Sequence, residues 1–159
     1  MTKLPVAQKI HPVGTWSGAA STCALSYEDR FFRRKKLTTQ DGWSFVADFE
    51  KTVSLNHGDA LALSDGKLVE VRAAPESLLA ISGSDLPRLA WHIGNRHTPC
   101  QIEATRLLIQ NDPVIAHMLT HLGATAMAVI EAFTPEGGAY GFGRTHSHEH
   151  GHSAHSHAH

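Results

Sequence analysis

Alternating apolar and polar positions between residues 36 and 71 predict a small all-β module. In Trp43-Ser44-Phe45-Val46-Ala47 large and small side chains alternate, as expected for a strand. Residues 61–63 and 67–71 are predicted to pair as a hairpin around Asp65-Gly66. Turn signals divide the module at three places: Gln40-Asp41-Gly42, Asn56-His57-Gly58-Asp59 and Ser64-Asp65-Gly66.

The first 25 residues or so do not share this alternation. Pro5, Pro12, Gly14 and Gly18 exclude a helix there, so we expect irregular or weakly extended chain. Ala73-Ala74-Pro75 then predicts a short hinge after the β module.

Beyond the hinge the apolar spacing becomes helical. Residues 78–81 form a short apolar run that predicts a buried strand, and a helix follows. Ser84 or Asp85 is expected to cap this helix, Pro87 fits its first turn, and Gly94 ends it. Its predicted buried face comprises Leu86, Leu89, Ala90 and Ile93.

A second helix is predicted to begin at Asp112-Pro113 and to stop at Gly123. One or two strands should precede it over residues 101–110, and a last apolar strand should cover residues 124–133. Its predicted apolar face comprises Val114, Ile115, Met118, Leu119 and Leu122. The order β-α-β-(β)-α-β predicts an α+β fold in which a ferredoxin-like domain follows the small all-β domain.

The composition narrows the classes of partner. With 14 basic and 15 acidic residues in 159, the chain is near neutral, which argues against nucleic acid or an anionic membrane. No apolar run approaches the ~18 residues of a membrane helix, and the N-terminus lacks an apolar signal core, so a cytoplasmic location is expected. Cys23 and Cys100 should both stay reduced there.

A basic segment, residues 30–36, contains Phe31 and Phe32. We interpret it as a solvated edge segment anchored by the two aromatic side chains. The alternative is a docking patch for an acidic protein partner.

Histidine is the outlier of the composition, with 13 residues. Neutral imidazoles bind nickel, zinc and copper, and small spacers between the rings let a flexible chain wrap around a cation. The interleaved pattern differs from an uninterrupted purification tag, so we predict a disordered metal-binding tail. Seven of the histidines lie in this tail: His146, His148, His150, His152, His155, His157 and His159.

His97 lies at the predicted corner between the first helix and Pro99. One imidazole supplies too few ligands, but two-fold symmetry would pair it with its copy in a dimer. His117 and His121, four residues apart on the second helix, either chelate one ion or lie half-buried on the surface. Cys100 is either a soft ligand or a small buried hydrophobe. His92, on the flank of the first helix, completes the candidate secondary ligands.

Several kinds of chemistry are missing from the sequence. We find no nucleophile–base constellation, no phosphate loop and no pair of carboxylates at a catalytic spacing, so the sequence indicates a binding protein rather than an enzyme. His57 is expected to be an ordinary turn residue.

Residues 91–102, WHIGNRHTPCQI, resemble the Gly-Asn-Arg-His motif of the urease accessory nickel metallochaperones, the UreE family. The resemblance extends over nearly the whole chain, through the Val71–Glu76 junction sequence VRAAPE, Gly138-Ala139-Tyr140 and the histidine tail. It departs at Asn111-Asp112-Pro113, where some members carry histidines, and at Cys100, where an aliphatic residue is common.

The resemblance implies a homodimer without catalytic activity. Its N-terminal β domain (residues 1–75) would be peptide-binding-like, its C-terminal domain (76–143) would be ferredoxin-like and dimerise, and the tail (144–159) would bind further nickel. His97 of each subunit would bind nickel at the interface. The partners would be the urease GTPase accessory protein (UreG) and the urease apoprotein–accessory complex.

Two other functions stay open at the level of sequence. The first is general nickel or zinc storage, with copper also able to bind in vitro. The second is a protein chaperone, in which the β module and residues 30–36 hold a client segment.

Overall fold

The computed structural model describes residues 3–137, which form a mixed α+β structure with a β-rich N-terminal part. The elements are β1 (Val6–His11), β2 (Ser21–Leu25), β3 (Phe31–Thr38), β4 (Ser44–Ser54), β5 (Ala60–Leu63), β6 (Leu68–Ala73), β7 (Pro75–Ser82), α1 (Leu86–Gly94), β8 (Gln101–Ile102), β9 (Leu107–Gln110), α2 (Pro113–His121) and β10 (Thr125–Ala132). A 3₁₀ turn, Glu28–Arg30, precedes β3. No helix in this part of the chain is long and apolar enough to span a membrane.

The chain divides into two compact units. Among the described residues, the first comprises residues 3–76 together with Glu131–Thr134, and the second comprises Ser77–Ile130 with residues 135–137. The first unit therefore takes a short piece of its structure from far along the sequence.

The first unit is built on one six-stranded sheet with the order β2-β6-β5-β1-β4-β3. The β3–β4 and β5–β6 pairs are antiparallel hairpins, of which the second was predicted, and their turns contain Gly42 (φ 94°) and Gly66 (φ 91°). Glycine adopts a left-handed φ without strain because it has no side chain. The buried core includes Phe45, Leu61 and Val69.

The first 25 residues are more regular than the irregular or weakly extended chain that was predicted. They form strands at Val6–His11 and Ser21–Leu25. Each pairs with strands far along the sequence: β1 lies between β4 and β5, and β2 lies parallel to β6. The prolines and glycines fall before β1 or in the connection between the two strands. Short strands whose partners are distant leave little local signal.

The basic segment is an edge strand, as predicted, but Arg30 at its start is buried rather than solvated. β3 is the last strand of the sheet, and Arg33 and Arg34 lie 3.8 and 3.9 Å from Asp48. Arg30 is only 2% exposed, and backbone carbonyls of the same unit accept hydrogen bonds from its buried guanidinium group. Of the two aromatic side chains, Phe32 packs on the core and Phe31 is exposed. Charges on an edge strand also discourage pairing with another chain.

The second unit has the predicted element order, β7-α1-β8-β9-α2-β10, and a four-stranded sheet ordered β10-β7-β9-β8. Both helices start as predicted. The Asp85 carboxylate accepts the Arg88 N–H (3.2 Å), and the Asp112 carboxylate accepts the Val114 N–H (2.9 Å). Such caps satisfy amide groups that have no partner within the helix.

The second unit buries less apolar surface than its sequence pattern predicts. In α2 only Ile115 and Leu119 are buried, and Val114 is 64% exposed, because it lies about 100° around the helix from Ile115. In β10 Met127 and Ile130 are 62% and 75% exposed. The predicted apolar helix face and the last strand therefore leave large hydrophobic side chains uncovered in the single chain.

Candidate metal centre

The main candidate ligand, His97, follows the end of α1. The Thr98 N–H donates to the Ile93 carbonyl (3.3 Å) and the His97 N–H donates to the Gly94 carbonyl (2.9 Å). These two bonds are the six-to-one and five-to-two pair of a Schellman helix ending. In such an ending the residue that donates the five-to-two bond takes the left-handed conformation. Here that residue is His97, with φ 56°.

His97 is the one non-glycine residue with positive φ between residues 3 and 137. A side chain in this conformation costs roughly 1–2 kcal/mol, and glycine normally occupies the position. Strained residues of this kind cluster at functional sites. The strain thus marks His97 within the described chain, and its exposed side chain is accessible to a ligand.

A shallow pocket adjoins His97. Its lining residues come from α1, from the segment that leads into and includes β8, and from the chain after β10: Ala90, Gly94, His97, Thr98, Pro99, Cys100, Ile102, Glu136 and Gly137. The Glu136 N–H donates to the Cys100 carbonyl (2.9 Å), which connects the last of these segments to the second. The pocket thus combines an imidazole, a carboxylate and a thiol around one opening.

The described residues do not by themselves complete a metal site around His97. Within the described range, no three histidine, cysteine or acidic side chains are placed to hold one ion together. A tightly held transition metal usually has four or more ligands. A metal ion bound by His97 would therefore need further ligands from outside this set of residues.

The Cys100 thiol is poorly suited to join His97. Burial, and then the negative charge of Glu136, raise its pKa from 9.0 to about 11. Because the thiolate is the form that binds metals, a raised pKa lowers the fraction ready to bind at neutral pH. Burial also raises the pKa of Cys23, which is 1% exposed in the core of the first unit.

The remaining candidates differ in what surrounds them. His92 is half-buried, with its ring edge-to-face against Trp91 at a centroid distance of 5.0 Å. His117 and His121 are both exposed rather than half-buried, and their Nε2 atoms lie 3.1 Å apart. His57 accepts the Ala73 N–H through Nδ1 (3.0 Å), which agrees with a structural turn residue. The seven tail candidates, residues 146–159, lie outside the described residues.

Comparison with protein families decides which group the chain belongs to. The model described as the UreE urease accessory protein N-terminal domain matches residues 2–74, and the corresponding C-terminal domain model matches residues 67–159. The chain belongs to the UreE family. A relative named "Urease accessory protein UreE" from Ruegeria pomeroyi is 59% identical over 143 residues, covering 90% of this chain and 96% of the relative.

Two more UreE relatives support the assignment. Proteins of the same name from Cereibacter sphaeroides and Rhodobacter capsulatus are 54% and 52% identical over 146 and 145 residues. The alignments cover 91% of this chain in both cases, and 80% and 92% of the two relatives. The resemblance seen in the Gly-Asn-Arg-His motif is therefore confirmed at the level of the family.

Two features of this UreE-family site were missed from the sequence. The first is the left-handed conformation of His97: α1 ends at Gly94 as predicted, but His97 rather than a glycine takes the left-handed position after it. Glu136 faces the pocket from 39 residues beyond His97. Only the absence of glycine between Asn95 and Pro99, where the helix must end, could have indicated the first feature. No sequence signal indicated the second.

We predict that Cys100→Ala leaves the tightest nickel affinity unchanged, since the thiol is protonated at neutral pH. Alkylation of Cys100 at pH 8 should be about a hundredfold slower than for a thiol of ordinary pKa, because two pKa units separate 11 from 9.0. Iodoacetamide labelling followed by peptide mass spectrometry measures the rate, with urea-unfolded protein as the control. Rapid labelling at pH 8, or nickel affinity lost in the variant, would contradict this account.

Proposed function

We propose that this UreE-family protein is a nickel metallochaperone that delivers nickel during assembly of the urease metallocentre. The observation that carries the proposal is His97, exposed and held in a left-handed conformation within Gly94-Asn95-Arg96-His97. Imidazole nitrogen is a suitable ligand for nickel. An exposed ligand with open coordination positions suits cargo that must later be released.

The proposed site is shared between the two copies of a homodimer. One subunit places too few ligands near His97, and a two-fold axis would double every ligand that it offers. Large exposed hydrophobic side chains support an interface in this unit: Trp91 on α1 is 63% exposed and Ile102, beside His97 in the pocket, is 53% exposed. Uncovered apolar surface of this kind is typical of interaction sites.

We propose that the chain has three domains with different roles. Residues 1–75 form the peptide-binding-like β domain, residues 76–143 form the metal-binding and dimerisation domain, and residues 144–159 form the histidine tail. The strand order β10-β7-β9-β8, with two helices between the strands, supports a ferredoxin-like fold for the second domain. The tail histidines would collect further nickel and supply it to His97.

The names of the relatives, which are urease accessory proteins, support partners within urease maturation. We propose that the dimer passes nickel to the urease GTPase accessory protein and the urease apoprotein complex, and that it works in the cytoplasm without catalytic activity of its own. Affinity alone would favour copper over nickel at nitrogen ligands, so partner choice and metal supply must provide selectivity.

The test is transfer of nickel. Nickel-loaded dimer is mixed with the urease GTPase and the apo-urease complex, and urease activity and the nickel content of each protein are followed. We expect nickel to move and urease to become active. A variant ending at Gly143, without the tail, should retain transfer from one tight ion per dimer and lose the weaker ions. If the full-length protein binds nickel but transfers none, general nickel or zinc storage becomes the better description.

A further inference from the structure

We propose that His117 and His121 form a second metal site on the exposed face of α2, separate from the one assigned to His97. It would take a transition-metal cation of the nickel, copper or zinc class through the two Nε2 atoms. The inference stands on the geometry of these two side chains and does not depend on the role of His97.

The distance between the two nitrogen atoms is the first argument. Their Nε2 atoms are 3.1 Å apart, and the ring planes are inclined by 86° with centroids 4.5 Å apart. Two ligands at about 2.1 Å from one metal, at a right angle to each other, are separated by about 3.0 Å. The separation of the two Nε2 atoms, which share a hydrogen bond in the metal-free protein, therefore matches that of two ligands on one cation.

The rigidity of α2 is the second argument. The helix is capped by Asp112 at its start and held by buried Ile115 and Leu119 on its inner face. His117 and His121 are one turn apart on the outer face, where side chains at this spacing are neighbours. Chelation by two groups that are already in position loses less conformational entropy than binding by a flexible segment.

The electrostatics of the helix end also favour a cation. His121 is the last residue of α2, and the final carbonyls of a helix carry partial negative charge. Imidazole ligands exclude Mg²⁺ and Ca²⁺, which prefer oxygen. No third side chain between residues 3 and 137 completes the cluster, so the other positions stay open to water or to a ligand from a partner. Such a two-ligand site should exchange its ion quickly.

The test measures metal-dependent stability in the full chain carrying His97→Ala, with NiCl₂ as the probe. Any site that binds the folded form preferentially raises the urea midpoint. We expect nickel to raise the midpoint of this variant, and we expect the rise to disappear when either His117→Ala or His121→Ala is added. All variants share residues 146–159, so differences between them isolate the helix pair.

His11→Ala in the same background is the matched control, because it removes a histidine that lies in β1 and is not among the candidate ligands. It should leave the nickel-dependent rise intact. The proposal is overturned if nickel does not raise the midpoint of the His97→Ala chain. It is also overturned if the rise survives loss of His117 or His121, or if the His11 control abolishes it. None of these outcomes bears on whether His97 binds nickel, since His97 is absent throughout.

Discussion

Replacing His97 with glycine should remove the proposed nickel site and at the same time stabilise the fold by about 1 kcal/mol. The gain arises because His97 has φ 56°, a conformation that glycine adopts without strain from a side chain. The loss arises because each subunit gives up its imidazole. The affinity should fall by more than about a hundredfold, since changes outside the ligand shell alone cost about 10–100-fold.

His97→Ala is the matched control for this experiment. Alanine also lacks the imidazole but keeps a Cβ in the left-handed conformation, so nickel binding should fall equally without the gain in stability. Calorimetric nickel titration and urea denaturation of the metal-free proteins measure the two effects separately. Retention of the tightest affinity in either variant would show that nickel binds elsewhere. Equal stability of the glycine and alanine variants would show that the histidine is not strained.

Replacing Arg30 with methionine should destabilise the fold by about 3 kcal/mol. The Arg30 side chain is 2% exposed, and its Nη1 and Nη2 atoms donate to the carbonyls of Leu25 (2.8 Å) and Phe133 (2.6 Å). Its guanidinium carbon also lies 5.7 Å from the centre of the Tyr27 ring. Methionine fills similar space but leaves both buried carbonyls without these donors, and hydrogen bonds from charged groups contribute about 1.5–3 kcal/mol each.

Arg33→Met provides the comparison within the same basic segment. The Arg33 side chain is 54% exposed and lies 3.8 Å from Asp48, so its loss should change stability by less than about 1 kcal/mol. Urea denaturation of both variants at one pH measures the difference. Similar midpoints for the two variants would mean that the buried hydrogen bonds of Arg30 contribute little to folding.

Local signals in the sequence predicted the local parts of the fold. Asp85 and Asp112 cap the two helices as expected, because a capping side chain contacts amide groups only two or three residues away. The burial of Arg30 could not be predicted, since one carbonyl that accepts from it is 103 residues away. The exposure of Val114 could not be predicted either. Periodicity shows which side of a helix is apolar but not how much of that side the sheet covers.

The candidate site was predicted in the same uneven way. The sequence motif identified His97, and spacing alone placed His117 near His121. The left-handed backbone of His97 and the presence of Glu136 beside Cys100 depend on how distant segments meet, which no short motif records. The assignment of all these residues as metal ligands stays a prediction.

The contact between Arg30 and Phe133 has a consequence for synthesis of the chain. Phe133 is fully buried in the first unit, where its ring packs edge-to-face on Tyr27 at 5.5 Å. The core of the first unit is therefore complete only after Phe133 has been synthesised. At the ~5–20 residues per second of translation, this is several seconds after residue 76. The first unit is synthesised first, but its packing is completed almost last. Cutting the protein near residue 76 would remove Phe133 and leave its position beside Tyr27 and Arg30 unfilled.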